Sequence, residues 1–186
     1  MNRLLHRLLH RLLLGALAGI AGTAAMTAAM RRLHRRLPKP DRYPLPPREI
    51  VERLLPQPGD AAPGEGARRD LTMAAHFGYG AATGALYALL RPSRGPLPGA
   101  AYGALVWAAS YLGWIPVWGI LDWATRHPRR RNALMIGVHL VWGATMAATL
   151  RELERAEAEI FAPGIAPDAP GPKPDREAAA EKPVRA

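Results

Sequence analysis

The sequence lacks cysteine altogether and contains only three lysines and two phenylalanines. Without cysteine the chain can form neither a disulfide nor a thiolate metal site, and thiol catalysis is excluded. The phosphate-cradling motif GxxxxGK[ST] and the zinc-protease motif HExxH are missing as well. The sequence therefore predicts a protein that is not an enzyme, with no catalytic residue, no metal ligand set and no cofactor of its own.

Charged side chains are also missing from four long stretches of the chain. No Asp, Glu, Lys or Arg occurs in residues 12–30, 71–90, 95–121 and 133–150. A helix needs about 20 apolar residues to cross a hydrocarbon core of roughly 30 Å. Helices of soluble proteins seldom stay uncharged for so long, because one of their faces meets water. The sequence therefore predicts an all-α fold, an integral membrane four-helix bundle, in spite of a mean hydropathy of only −0.09.

The net charge of +10 raises nucleic acid as a partner, but the basic residues flank the apolar stretches, where topology signals lie. We therefore expect a lipid bilayer as the partner, and no nucleic acid. Loops 31–70 and 122–132 hold fourteen of the 25 Lys and Arg residues, and seven more lie near the membrane on the other side. The positive-inside rule places these two loops in the cytoplasm and both termini outside. This predicts a multi-pass protein of the bacterial cytoplasmic (inner) membrane.

Three regions follow one another along the chain. Residues 1–11 repeat the pattern RLLH and form a basic amphipathic leader, residues 12–150 form the membrane domain, and residues 151–186 are a short helical extension with a disordered tail. The first apolar stretch is long for a signal peptide and ends in a basic cluster, which favours a retained helix. Within the first loop, Pro47 precedes an amphipathic helix over residues 48–55, which we expect on the membrane surface.

Small residues recur at every fourth position in the apolar stretches. In lipid they let helix backbones approach closely, so they predict tight packing within the bundle and permit a homo-oligomer. Helices 2 and 4 share the patterns HFGYGA and HLVWGA, which suggests two repeated helical hairpins, although chance similarity between Ala/Gly-rich segments explains the match equally well. The predicted helix-packing residues are Gly15, Gly19, Gly80, Gly84, Gly99, Gly103 and Gly143.

Two histidines lie inside the apolar stretches. His76 and His139 each precede a glycine by four residues, so each shares the small-residue face of its helix, about 8–9 Å from the same side of the membrane. Asp122, at the end of the third stretch, opens onto that side. Ionisable residues at this depth are a functional-site hypothesis. Three interpretations stay open: neutral histidines that hold helices together, a proton or cation path through all three residues, and two histidines that ligate haem.

The third stretch carries four aromatic residues at spacings of 4, 3 and 4, which places them in one stripe. A flat apolar ligand such as a quinone can stack on such a stripe, although packing or an interfacial belt explains it as well. Pro116 predicts a kink there. Ser110 lies about 7 Å deeper than His139, too far for a nucleophilic pair. The aromatic residues are Trp107, Tyr111, Trp114 and Trp118.

The motifs YPLPPREI, LTMAAHFGYGAATGALY, SYLGWIP and ATRHPRRRNALMIGVHLVWGA follow one another between Leu12 and Leu150. Together they resemble small bacterial inner-membrane proteins of the YagU-like type. The resemblance implies a polytopic protein of the cytoplasmic membrane without assigned catalytic residues, and it carries no activity. Three functions stay open: a non-enzymatic protein with a structural or permeability-related role, a proton- or cation-coupled transporter subunit, and a haem- or quinone-binding membrane module.

Overall fold

The computed structural model describes residues 2–39, 42, 46–55, 63–90 and 95–162. Within these ranges every regular element is a helix, which confirms the predicted all-α class for the described part of the chain. A π-helical segment follows the fourth helix, and a 3₁₀ turn precedes the last. The elements are α1 (Asn2–Arg36), α2 (Pro46–Leu54), α3 (Glu65–Leu90), α4 (Pro96–Ala109), the π segment (Ser110–Trp114), α5 (Ile115–Val117), the 3₁₀ turn (Ala124–Arg126) and α6 (Arg129–Ile160).

Three helical segments are long and apolar enough to cross a membrane, namely Arg3–Arg36, Pro96–Val117 and Arg129–Ile160. They contain most of the first, third and fourth apolar stretches. The second stretch lies in α3, which is helical over its full length but is not among these three segments. Histidine, threonine and tyrosine side chains reduce the apolar character of α3, although it carries no charge over its last 20 residues.

The predicted leader continues directly into the first predicted span. The helix α1 runs unbroken through it, because leucine and arginine are strong helix formers and no proline interrupts them. At the far end, α6 extends past the apolar stretch to Ile160, as the predicted helical extension requires. Nε2 of His10 lies 3.2 Å from Oε1 of Glu157, so the two extensions are linked at the end of the bundle away from α2. The predicted tail beyond residue 162 lies outside the described residues.

The third apolar stretch forms a shorter helix than its length predicts. Regular helix ends at Val117, and Gly119 turns the chain with a φ of 67°. Glycine adopts this left-handed conformation without steric cost, whereas other residues rarely do. The helix α2 begins at Pro46, two residues before its predicted start.

The four long helices contact one another in the order α3, α1, α6, α4, so that the two outer helices, α3 and α4, make no extended backbone contact with each other. Extended backbone contacts join α1 to α3, α1 to α6, and α4 to α6. Between α3 and α4 the contacts are made through long side chains: the hydroxyl of Tyr102 donates to the carbonyl oxygen of Thr83 over 2.9 Å, and the rings of Tyr87 and Tyr102 lie 5.0 Å apart. This arrangement leaves space between α3 and α4.

Glycine lets the paired helices touch through their backbones. A Cβ atom on Gly15 would lie 2.6 Å from the carbonyl oxygen of Gly84, and one on Gly84 would lie 2.7 Å from Cα of Gly19. Ordinary contacts of a Cβ atom are 3.4 Å or longer, so neither position admits a side chain without movement of a helix. The structure places all seven predicted packing glycines at two such crossings, α1 on α3 and α4 on α6.

The two crossings have the same arrangement of glycines. The glycines that correspond between the crossings, however, are not the ones that the two sequence motifs align. Gly15 meets Gly84 in the first crossing, and Gly99 meets Gly143 in the second. This pairing makes Gly84 equivalent to Gly143, whereas the motifs HFGYGA and HLVWGA align Gly80 with Gly143. The contacts are thus displaced from the motifs by one helical turn, and the two histidines do not occupy equivalent positions.

Candidate functional site: a cavity beneath α2

A cavity of about 240 Å³ lies among α1, α2, α3, α4 and α6. An apolar cavity of roughly 150 Å³ already admits a benzene-sized molecule, so this one has room for a substituted ring. Apolar side chains form most of its wall, including those of Met30, Val51, Val106, Ile115 and Met135. The polar side chains on the wall are those of Thr23, His76, Tyr79, Thr83, Ser110, Tyr111, His139 and Trp142.

His139 contributes a hydrogen-bond acceptor to this wall. Its side chain is buried, and its Nδ1 atom lies 2.7 Å from the carbonyl oxygen of Met135, one turn earlier in α6. Because a carbonyl oxygen only accepts, Nδ1 must carry the proton, and Nε2 of the neutral ring is then an acceptor. The ring of Tyr111 packs edge-on against the imidazole, with 6.2 Å between centroids, and holds it in place.

His76 contributes a second acceptor through a short hydrogen-bond chain on α1. The hydroxyl of Thr27 donates to the carbonyl oxygen of Thr23 over 2.7 Å, which uses its single hydrogen. Nε2 of His76, 3.2 Å from the same hydroxyl, must therefore be the donor in that contact. Nδ1 of the neutral His76 ring is then an acceptor, like Nε2 of His139.

A pair of hydroxyl groups bridges the space between α3 and α4. The hydroxyl of Tyr79 lies 3.0 Å from Oγ of Ser110, and the ring of Tyr79 lies 6.1 Å from that of Trp114. Of the two hydroxyl hydrogens, one is used between Tyr79 and Ser110, so the pair has one hydrogen left to donate. Ser110 thus has a tyrosine on a facing helix as its partner. That Ser110 and His139 form no nucleophilic pair stays a prediction.

The helix α2 covers one end of the cavity. Val51 is buried, Ile50 is half-buried, and both line the cavity wall together with Pro47. Glu49 of α2 forms an ion pair with the buried Arg131 of α6. On the outer side of α2, the hydrogen bond and the charge of Glu52 raise the pKa of Arg48 above its ordinary value. Part of the apolar face that predicts a surface helix therefore packs on the protein itself, whereas Leu54 of the same face is exposed.

The wall contributed by α4 is irregular. The π segment Ser110–Trp114 supplies three of the lining residues, and Gly113 within it has φ −130° and ψ −112°, outside the helical region. Pro116 lies two residues after this segment and has no N–H to continue a regular ladder. Single π turns of this kind occur frequently at functional sites.

The structure brings together most, but not all, of the predicted site residues. His76 and His139 line the same cavity, whereas Asp122 is absent from its wall and instead lies 3.3 Å from the guanidinium of Arg126 on the surface. The aromatic stripe forms two ring pairs, Trp107 with Tyr111 at 6.2 Å and Trp114 with Trp118 at 5.5 Å. Of these four, Tyr111 and Trp114 reach the cavity. Among the residues that the structure describes, no group of three His, Asp or Glu side chains could hold a metal ion.

Sequence reasoning missed Tyr79, Thr27 and the contribution of α2 to the cavity. A signal for Tyr79 was present, because it follows His76 by three residues and so shares its side of the helix. On α1, Thr27 follows Thr23 by four residues and so shares its side of that helix. No pattern in the first loop indicated that the short helix over Pro46–Leu54 packs on the bundle.

The resemblance to the YagU-like family rests on motifs between Leu12 and Leu150. This resemblance stays a prediction, and the proposed function rests on the cavity instead. Comparison of the chain with protein-family models, with curated proteins and with solved structures gave no match.

Proposed function

We propose that this chain is a multi-pass membrane protein that binds a small lipid-soluble molecule in the cavity beneath α2 without acting on it chemically. The observation that carries the proposal is a cavity of about 240 Å³ with a mainly apolar wall and a few polar groups. Small-molecule sites in proteins combine these two features, since apolar surface supplies affinity and placed polar groups supply orientation. We thus propose a binding role in place of a purely structural one, and we expect no enzymatic activity.

The outward faces of the helices support a bundle of four spans, with α3 as the second. Leu71, Met73, Leu86 and Leu90 of α3 are exposed, as are large apolar side chains of α1, α4 and α6. Exposed apolar surface of this extent is expected where lipid is the solvent and is rare on soluble monomers. We place the bundle in the bacterial inner membrane, with loops 31–70 and 122–132 in the cytoplasm, from the distribution of Lys and Arg.

This orientation places the cavity just inside the cytoplasmic face of the bilayer. The helix α2 and the ion pair between Glu49 and Arg131 cover the end that faces water. On the side, α3 and α4 are bridged by side chains such as Tyr79 and Trp114 rather than by backbone contact. Access from lipid therefore requires only side-chain rotation, whereas access from water requires α2 to lift. These constraints favour a ligand that is dissolved in the membrane.

Filling the cavity tests the proposal. Ala75 and its neighbour Ala74 are both exposed, but only Ala75 lines the cavity. We expect Ala75→Phe to reduce a bound compound at least fivefold, because the ring occupies the ligand volume, and Ala74→Phe to leave it unchanged. The measurement is mass spectrometry of the apolar extract of protein purified in native lipid. Equal amounts of every compound in both variants and the wild type would contradict binding in this cavity.

One observation favours a second function, proton-coupled transport. His76 and His139 lie on the wall of the same cavity, and imidazole titrates near neutral pH. Because Asp122 lies outside the cavity, such a path would rest on the two histidines alone. A pH-sensitive dye in reconstituted vesicles should then report proton flux that His139→Ala abolishes. An absence of flux at any pH between 5 and 8 would count against transport.

A further inference from the structure

We infer that the cavity selects ring compounds that carry a hydroxyl group, the class of alkylphenols and hydroquinones, over counterparts of the same size that have no hydrogen to donate. This inference rests on the proposed function and names the class of its ligand. It follows from which polar groups of the cavity wall already form hydrogen bonds and which of them have no partner.

The wall has two imidazole acceptors that no described residue satisfies. Nε2 of His139 and Nδ1 of His76 are both acceptors in the neutral rings, because the other nitrogen of each donates to Met135 or Thr27. Neither acceptor receives a hydrogen bond from any residue that the structure describes. The donors on the same wall are the spare hydrogen of the Tyr79–Ser110 pair, the Tyr111 hydroxyl and the Trp114 indole N–H, and none of them makes a hydrogen bond to these two nitrogens.

A ligand without a donor leaves this wall unsatisfied. A quinone or an ether can accept hydrogens from the donors on the wall, but both imidazole nitrogens then lose water and gain nothing. Leaving a buried acceptor unpaired costs more than an ordinary hydrogen bond gains, which makes the missing donor selective. A hydroxyl group donates to one imidazole, and its oxygen remains free to accept. A hydroquinone has two such groups for the two histidines.

The position of the groups fits a single ring with a tail. Tyr79 follows His76 on α3, and Tyr111, next to Ser110, packs on His139, so the polar groups of both helices surround one cavity. The ring of Trp114 supplies aromatic surface at its side. An alkyl tail can leave between α3 and α4, where side chains rather than backbones make the contacts. The aromatic stripe alone suggests a quinone as the ligand. The two imidazole acceptors favour its reduced form, the hydroquinone, because only that form has hydroxyl hydrogens to donate.

A matched pair of probes tests the inference without redox chemistry. 4-Heptylphenol and its methyl ether differ by one methyl group, and only the phenol has a hydrogen to donate. Binding of each to the full chain in lipid nanodiscs is measured by isothermal titration calorimetry, with empty nanodiscs to subtract partition into lipid. We expect the phenol to bind about five- to tenfold more tightly, the factor that one net hydrogen bond supplies.

Variants of the histidines assign the preference to its source. His76→Leu and His139→Leu each remove one acceptor, and the preference should fall below twofold in at least one of them. His10→Leu, at the far end of α1, is the matched control and should keep it. Should His139→Leu fail to fold, His76→Leu still tests the idea, because His76 is only half-buried. Size-exclusion chromatography in detergent verifies the fold of each variant.

The outcomes separate the two proposals. Equal binding of phenol and ether refutes the selectivity and leaves the binding function standing. Failure of both probes to bind refutes the selectivity and counts against the proposed function as well. A preference that survives in both histidine variants shows that other groups supply it, and overturns the role assigned to the imidazole nitrogens.

Discussion

The crossing of α1 on α3 predicts that Gly15→Ala destabilises the protein. A Cβ atom at this position would lie 2.6 Å from the carbonyl oxygen of Gly84 and 2.8 Å from Cα of Ala85. Both atoms belong to the backbone of α3, so no side chain can rotate out of the way. Relief to an ordinary contact of 3.4 Å requires the two helices to separate by roughly 0.8 Å.

The magnitude follows from two opposing effects. A separation of 0.5–1 Å forfeits about a quarter to a half of the dispersion energy of each contact along the crossing, and overpacking of this kind costs about 1–3 kcal/mol. Because the neighbouring atoms belong to the backbone, we expect the overpacking cost of Gly15→Ala near the upper end of this range, at about 3 kcal/mol. Alanine has a helix propensity better than that of glycine by about 1 kcal/mol. We therefore expect a net loss of about 2 kcal/mol in the free energy of unfolding.

The matched control is Gly78→Ala on α3. A Cβ atom on Gly78 meets nothing within 4 Å, so this variant gains helix propensity without a clash. Its free energy of unfolding should rise by up to about 1 kcal/mol. Unfolding of both variants and the wild type by sodium dodecyl sulfate in mixed micelles, followed by circular dichroism, measures the differences. The same sign for both variants, or no loss for Gly15→Ala, would refute the reasoning from backbone contact.

Two other predictions concern α2 and the bilayer. Glu49→Ala should lower the free energy of unfolding by about 2 kcal/mol, because the buried Arg131 loses a charged partner. Glu52→Ala removes an exposed pair with Arg48 and should cost less than about 0.5 kcal/mol, and thermal unfolding in detergent compares the two. Membranes washed with alkaline carbonate should keep the full chain in the pellet, because three helical segments are long and apolar enough to span. Release of the chain by carbonate alone would contradict insertion.

The sequence predicts the helices and their contact faces well, because both depend on local patterns. The uncharged stretches lie within α1, α3, the α4 region and α6, and regular helix departs from a predicted boundary mainly after Val117. The small residues spaced by four, such as Gly15 and Gly19, lie where helices touch. Placing both histidines at one depth also follows from counting residues along a helix, and both line one cavity.

Features that depend on which helices become neighbours could not be predicted in the same way. The pairing of Gly15 with Gly84 depends on the register between two helices, which similarity between motifs does not determine. The apolar face of α2 is equally suited to lipid and to a protein groove, and the contact of Glu49 with Arg131 joins residues that are far apart in sequence. The proline at position 116 predicts an irregular helix, but not that the irregularity takes the form of a π segment one turn earlier.

The unequal lengths of the helices have a consequence for the end of the molecule away from α2. With a rise of 1.5 Å per residue, the 35 residues of α1 extend about 52 Å and the 32 residues of α6 about 48 Å, against a hydrocarbon core of roughly 30 Å. Beyond their uncharged stretches, α1 and α6 each extend by ten residues at the same end, where His10 contacts Glu157. The two extensions form a stiff two-helix post about 15 Å tall at that end, which sets the direction in which both helices leave the bundle.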